Sequence, residues 1–178
     1  MLLQWSAPEY MPHSFQVSGL SGTVGHKQTG NCFDLTKQVA DGFVGMQELS
    51  KGLFLVQSEM AFKRETELYE EYPERKVFQL SFCMNGICEW DYRQKQGEHY
   101  QLSPTQCSLQ CGTFSQCVSH FGSEQPYHTL SISLEEGRFS SLTEDLEAAH
   151  LIRRDDKICT HVFSTTPEIR LVLQQLLD

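Results

Sequence analysis

No stretch of the sequence strings together the about 18 apolar residues of a membrane-crossing helix. Met1-Leu2-Leu3-Gln4-Trp5 lacks the charged start, long apolar centre and small-residue cleavage site of a secretory signal. A cytoplasmic protein with no membrane partner is therefore expected. Positive charge is scarce as well: 14 Lys and Arg stand against 23 Asp and Glu, for a formal net charge of -9, and no Lys/Arg cluster interrupts that balance. Such a segment is repelled by phosphate backbones and is not itself expected to bind nucleic acid. The seven cysteines are odd in number and irregularly spaced, which fits a reducing compartment better than a disulfide framework. Internal repeats and low-complexity tracts are also missing.

The signatures of catalysis and of metal binding are absent in turn. There is no G-x-S-x-G, no C-x-x-C and no His-x-His anywhere in the chain. Cys107, Cys111, Cys117 and His120 are the nearest thing to a zinc set. On one strand, however, Cys107 and Cys111 stand roughly 13 Å apart, too far to share a tetrahedral ion. Cys111 and Cys117 could face each other across a turn at Gly112–Ser115, but a free buried Cys behaves as a small apolar residue and needs no partner. The glycines at 19, 22, 25, 42 and 45 lack the strand and helix that would make a phosphate cradle. No enzyme, no resident metal and no cofactor are expected.

What is present is a run of short strands. Leu53–Phe62, 77–83, 87–92, 98–102, Gln106–Gln110, 114–121 and 127–134 are mostly rich in branched or aromatic residues. Turn signals separate them: Tyr72-Pro73-Glu74, Asn85-Gly86, Gln96-Gly97, Ser103-Pro104, Gly112 and Gly122-Ser123-Glu124. Asn85-Gly86 predicts a two-residue hairpin with positive φ at both positions. Alternation before it predicts Phe78, Leu80 and Phe82 buried on one face. The glutamates between Glu65 and Glu74 read as a solvated turn. A helix is expected through 135–149 on Phe139, Leu142 and Leu146, then a strand at 158–163. After Thr165-Thr166-Pro167 a last helix carries Ile169, Val172, Leu173, Leu176 and Leu177 on one stripe. It has no closing Gly or Asn, so the chain is expected to have been cut from a longer protein. The fold class is mainly β: a small barrel or jelly roll with C-terminal helices. One domain is expected, since a chain of 178 residues buries roughly 70% of its unfolded surface. Its parts are an arm with edge elements at 1–52, a barrel core at 53–134 and a helical segment at 135–178.

The barrel interior is where a small molecule is expected, because pockets are mostly apolar with a few placed polar groups. Candidate contacts are Trp90, Tyr92, Phe78, Phe82, His120 and His128. Any one Phe is as simply read as barrel filling. His128 is in phase with Leu130, Ile132 and Leu134 and is expected to point inward. Ile169, Leu173 and Leu176 are expected as an exposed apolar stripe, the kind of surface that marks an interaction site.

In order along the chain, Gly52-Leu53-Phe54-Leu55-Val56, then Phe78-Gln79-Leu80-Ser81-Phe82-Cys83-Met84-Asn85-Gly86, Leu102-Ser103-Pro104-Thr105-Gln106-Cys107-Ser108-Leu109, His128-Thr129-Leu130-Ser131-Ile132-Ser133-Leu134 and Thr165-Thr166-Pro167-Glu168-Ile169 resemble the sensor half of an AraC-type bacterial transcription regulator. The likeness is to the siderophore-responsive subgroup that includes the pyochelin regulator, over roughly residues 45–178. The resemblance implies a cupin-like barrel without catalytic metal, an effector inside it or under the arm, and a homodimer through the C-terminal helices. It also implies DNA binding only through a helix-turn-helix half missing from this chain. A ferric siderophore is the expected effector. The alternative is a metal- or haem-binding cupin protein, disfavoured by the missing His-x-His and Cys-Pro.

Overall fold

A computed structural model describes residues 2–6, 16–18, 24–27, 30–34, 40–92, 98–123, 125–135, 142, 144–150 and 158–177. The strands among them are β1 (Leu2–Ser6), β2 (Gln16–Ser18), β3 (Val24–Lys27), β4 (Gly30–Asp34), β5 (Ala40–Ser50), β6 (Leu53–Phe62), β7 (Thr66–Asn85), β8 (Cys88–Tyr92), β9 (His99–Leu102), β10 (Gln106–Phe121), β11 (Pro126–Glu135) and β12 (Ile158–Ser164). The helix Pro167–Leu177 follows them.

β7 and β10, of 20 and 16 residues, each serve two sheets. The C-terminal half of β7 pairs with β11 on one side, Leu130 opposite Phe82 and Ile132 opposite Leu80. On its other side lies the N-terminal half of β10, whose far edge takes β12. β11 continues outward through β6, β5, β4 and β3. The N-terminal half of β7 enters a second sheet, with β1 parallel on one side and the C-terminal half of β10 on the other, followed by β8 and β9. All these pairings except β1 with β7 are antiparallel. The result is mainly β, two sheets folded over one interior.

Period-two alternation sends side chains to two environments. On the first sheet Phe78, Leu80, Phe82, Cys107, Leu109, Cys111, Leu130 and Ile132 share the outer face, where helical residues cover them. Leu173 and Leu177 pack with Phe82, Cys107 and Leu130, and Leu142 and Leu146 pack with Phe78, Leu109 and Cys111. Thr166 caps the helix Pro167–Leu177: its Oγ1 accepts from Ile169 N–H at 3.4 Å and its carbonyl from Arg170 N–H at 3.1 Å. Thr165 fixes the helix to the β9–β10 turn, its N–H and hydroxyl both donating to the Thr105 carbonyl, at 2.8 and 3.0 Å.

Several expectations are corrected here. Asn85-Gly86 is not a hairpin, because β8 pairs with β10 and β9 and both edges of β7 are already taken by β10 and β11. The dipeptide turns the chain from one sheet into the other. Only Gly86 has positive φ, 80°, and a Cβ there would lie 2.7 Å from the Pro126 carbonyl oxygen, so this corner needs glycine. Residues 66–74, read as a solvated turn, are strand, and Gly112 lies inside β10 rather than between strands. Residues 40–50, assigned to the arm and edge elements, form β5 and pair along β6. Phe139 lies outside the described residues, as do Gly19, Gly22, Gln96 and Gly97. No helix among the described residues is long and apolar enough to cross a membrane.

Candidate functional site

The interior is built differently on its two walls. Ser81, Ser108, Ser131 and Ser58 of the first sheet are buried there, and most of their hydroxyls satisfy one another. Ser131 donates to Ser81 Oγ at 2.9 Å, the Gln79 amide donates to the same oxygen at 2.9 Å, and Ser58 and Thr129 share a bond of 2.5 Å. The opposing wall is aromatic. Trp90, Tyr92, Leu102, Cys83 and Cys117 form one buried cluster, with Tyr100 and Cys88 against it. Tyr100 sits opposite Trp90 across the β8–β9 pair, stacks on its indole at 5.6 Å and meets the Tyr92 ring edge-on at 5.5 Å.

Between the walls, polar atoms are stranded. Trp90 Nε1, Ser108 Oγ and Thr160 Oγ1 are buried with no hydrogen-bond partner. Trp90 and Thr160 lie beside the Tyr92 hydroxyl, whose pKa burial pushes well up and these two neighbours partly restrain. The Tyr100 phenol is likewise pushed up by burial and then by its hydrogen bond to Glu98, with Thr160 opposing. Native interiors leave few such groups unpaired, at a cost of about 1–3 kcal/mol each. Flat rings with unpaired polar atoms beside them suit a flat ligand carrying hydrogen-bonding atoms.

Of the residues proposed from sequence, Trp90 and Tyr92 face this interior and are 7% and 2% exposed. Phe78 and Phe82 are buried but lie under the helical cover on the outer face. His128 is in phase with Leu130 as expected, and that phase also points out of the interior; its Nε2 lies 3.4 Å from Gln57 Nε2. His120 is on the outside of the second sheet. There it meets Asp91 at 2.6 Å and Glu67 at 3.7 Å, while His99 takes the other Asp91 oxygen at 3.0 Å. Burial alone would raise the Asp91 pKa, but the hydrogen bonds from His120 and His99 outweigh it and hold the group below 3.8. This half-exposed cluster therefore adds a little stability above the ordinary aspartate pKa, lost as pH falls through the lowered folded value. Asp91→Asn is expected to lower the urea midpoint slightly at pH 7 and progressively less as the pH falls below the ordinary aspartate range, and an equal loss at every pH would assign the effect to packing. Among the described residues no three His, Cys, Asp or Glu side chains are set to hold a metal ion.

Sequence reasoning missed Tyr100, Ser108 and Thr160. Tyr100 was within reach, since β8 and β9 alternate in register. Thr160 was not, because it is brought to Tyr92 only by β12 docking on β10.

Leu173 is 4% exposed, packed under the helix rather than on an open stripe, whereas Ile169, Val172 and Leu176 are 40%, 54% and 49% exposed.

A family model described as the regulatory protein PchR N-terminal domain matches residues 41–178. The chain has no significant match among curated proteins. Among solved structures it is similar to procruciferin, an 11S globulin from Brassica napus, at 11% identity over 82% of this chain and 34% of that one, TM-score 0.38. It is similar to vicilin from Corylus avellana at 12% identity over 89% and 50%, TM-score 0.37. A variant oxalate decarboxylase from B. subtilis matches at 12% identity over 89% and 35%, TM-score 0.35. The chain thus spans half or less of each of these proteins.

Proposed function

Because the chain belongs to the PchR N-terminal family, the regulatory domains of AraC-type proteins, we propose that it is an effector sensor that takes a ferric siderophore or similar small molecule against Trp90, Tyr92 and Tyr100. The observation that supports this is the stranded set of Trp90 Nε1, Thr160 Oγ1 and Ser108 Oγ beside stacked rings. A ligand that completes those bonds removes a penalty the free protein carries. Effector binding then shifts the population between two packings of the barrel and its helix. DNA binding belongs to a separate helix-turn-helix domain of the full regulator, acting in the cytoplasm.

Ferric phenolate and catecholate siderophores, titrated into the chain, test the reading. Trp90→Phe and Thr160→Val keep apolar bulk and remove one polar group each. Each is expected to weaken binding roughly tenfold, about 1.4 kcal/mol. Equal affinity of both folded variants and the parent would remove the site from the interior.

The dimer reading moves to the exposed stripe Ile169, Val172 and Leu176, with Leu173 excluded by its burial. In sedimentation, Ile169→Glu with Leu176→Glu is expected to leave a folded monomer where the parent is a dimer. A double variant that still sediments as the parent does would put the interface elsewhere.

A further inference from the structure

Cys83 lies near the end of β7 and Cys88 opens β8, so the two flank the corner at Gly86 that joins the sheets. Both belong to the aromatic cluster, Cys83 buried at 3% exposure and Cys88 half-buried. The Cys83 thiol donates into the turn, to the Gly86 carbonyl at 3.3 Å and the Asn85 carbonyl at 3.5 Å. The Cys88 thiol and backbone N–H reach the same sulfur. Neither thiol has a part in the proposed effector contacts.

We propose that Cys83 and Cys88 are a redox-active dithiol that closes to an intramolecular disulfide when the protein meets a peroxide. Hydrogen bonding with Cys88 holds the Cys83 thiol below its ordinary pKa against the opposing effect of burial. That same bond, then burial, pushes Cys88 up. Negative charge therefore collects on Cys83, and the thiolate is the nucleophile in such chemistry. Its sulfur attacks one peroxide oxygen; the S–O bond forms, the O–O bond breaks and hydroxide leaves, taking a proton to become water. Cys88 sulfur then attacks Cys83 sulfur; the S–S bond forms, the S–O bond breaks, and the thiol proton leaves with the departing oxygen as a second water. Two thiols are oxidised and one peroxide is reduced. The bond forms against Trp90 and Tyr92, so the redox state is written into the wall that faces the ligand.

The test uses the whole chain, reduced and desalted, then treated with equimolar hydrogen peroxide, alkylated and cut with trypsin. Cys83 and Cys88 fall in one tryptic peptide, residues 77–93. That peptide is expected to lose two hydrogens, to resist alkylation at both sulfurs and to recover with dithiothreitol. It should do so roughly tenfold faster than Cys107, Cys111 or Cys159 react. In Cys88→Ser the first step has no resolving thiol, so dimedone should label Cys83. Full alkylation of both sulfurs after peroxide, or a bond from Cys83 to Cys117 instead, would overturn the proposal. The peptide mapping of the parent decides this whatever Cys88→Ser does, and it is independent of whether any siderophore binds.

Discussion

Leu173→Glu is expected to detach the helix Pro167–Leu177 from the barrel and to lower the unfolding midpoint by roughly 10 °C, a loss of about 4 kcal/mol. Leu173 is 4% exposed and packs with Phe82, Cys107 and Leu130. A glutamate there leaves a cavity where the branched side chain was and sets an unpaired carboxylate among apolar groups. Both penalties fall on one contact, which is why the effect is large. Hydrogen exchange localises it: the amides of 167–177 should exchange rapidly in the variant, while those of β6 and β11 stay protected. Leu171→Glu, at a position 58% exposed on the same helix, is the control and should leave the midpoint within about 1 °C, as surface substitutions do. A Leu173→Glu protein that melts with the parent would mean that the helix does not depend on this contact.

Gly42→Ala is expected to cost about 3 kcal/mol or more, through the backbone rather than the core. Gly42 has φ 128°, and its Cβ would stand 1.9 Å from the Glu59 carbonyl oxygen and 3.0 Å from Met60 Cα. Those are backbone atoms of the neighbouring strand β6, so no side chain can swing aside. Either β5 leaves β6 locally or the variant fails to fold. Gly45→Ala makes the comparison sharp, because there the nearest atom is a Phe43 ring carbon at 3.6 Å, an ordinary contact. Urea midpoints should fall steeply for the first and hardly for the second. If the two variants unfold together, β5 does not run beside β6 in this register.

Much of the strand content was legible from sequence, and the reason lies in residues such as Leu53–Phe62, where branched and aromatic side chains bounded by turn residues leave little alternative. What misled was punctuation. Pro73 and Gly112 were read as ends, yet they mark places where long strands bend: Pro73 lies between Glu71 and Arg75, where the β7–β10 register shifts, and Gly112 is the last residue of β10 paired with β12. A proline is tolerated at such a shift because a ladder bond is missing there anyway. Asn85-Gly86 announced a turn correctly and a hairpin wrongly, since a local signal carries no knowledge of which strand edges are already occupied. The same blindness assigned Phe78, Phe82 and His128 to the interior. Alternation divides residues between two faces, but only the docking of helices shows which face looks inward.

That division has a mechanical consequence. Ser81 borders the interior, while its neighbours Leu80 and Phe82 lie under the helical cover. A single thickness of polypeptide therefore separates the interior from the C-terminal helix. Adjacent residues on a strand are only about 3.3 Å apart along the chain, so a displacement on the inner surface reaches Leu173 through one backbone and needs no hinge, linker or relay. The partition between interior and helix is itself a lever one backbone thick.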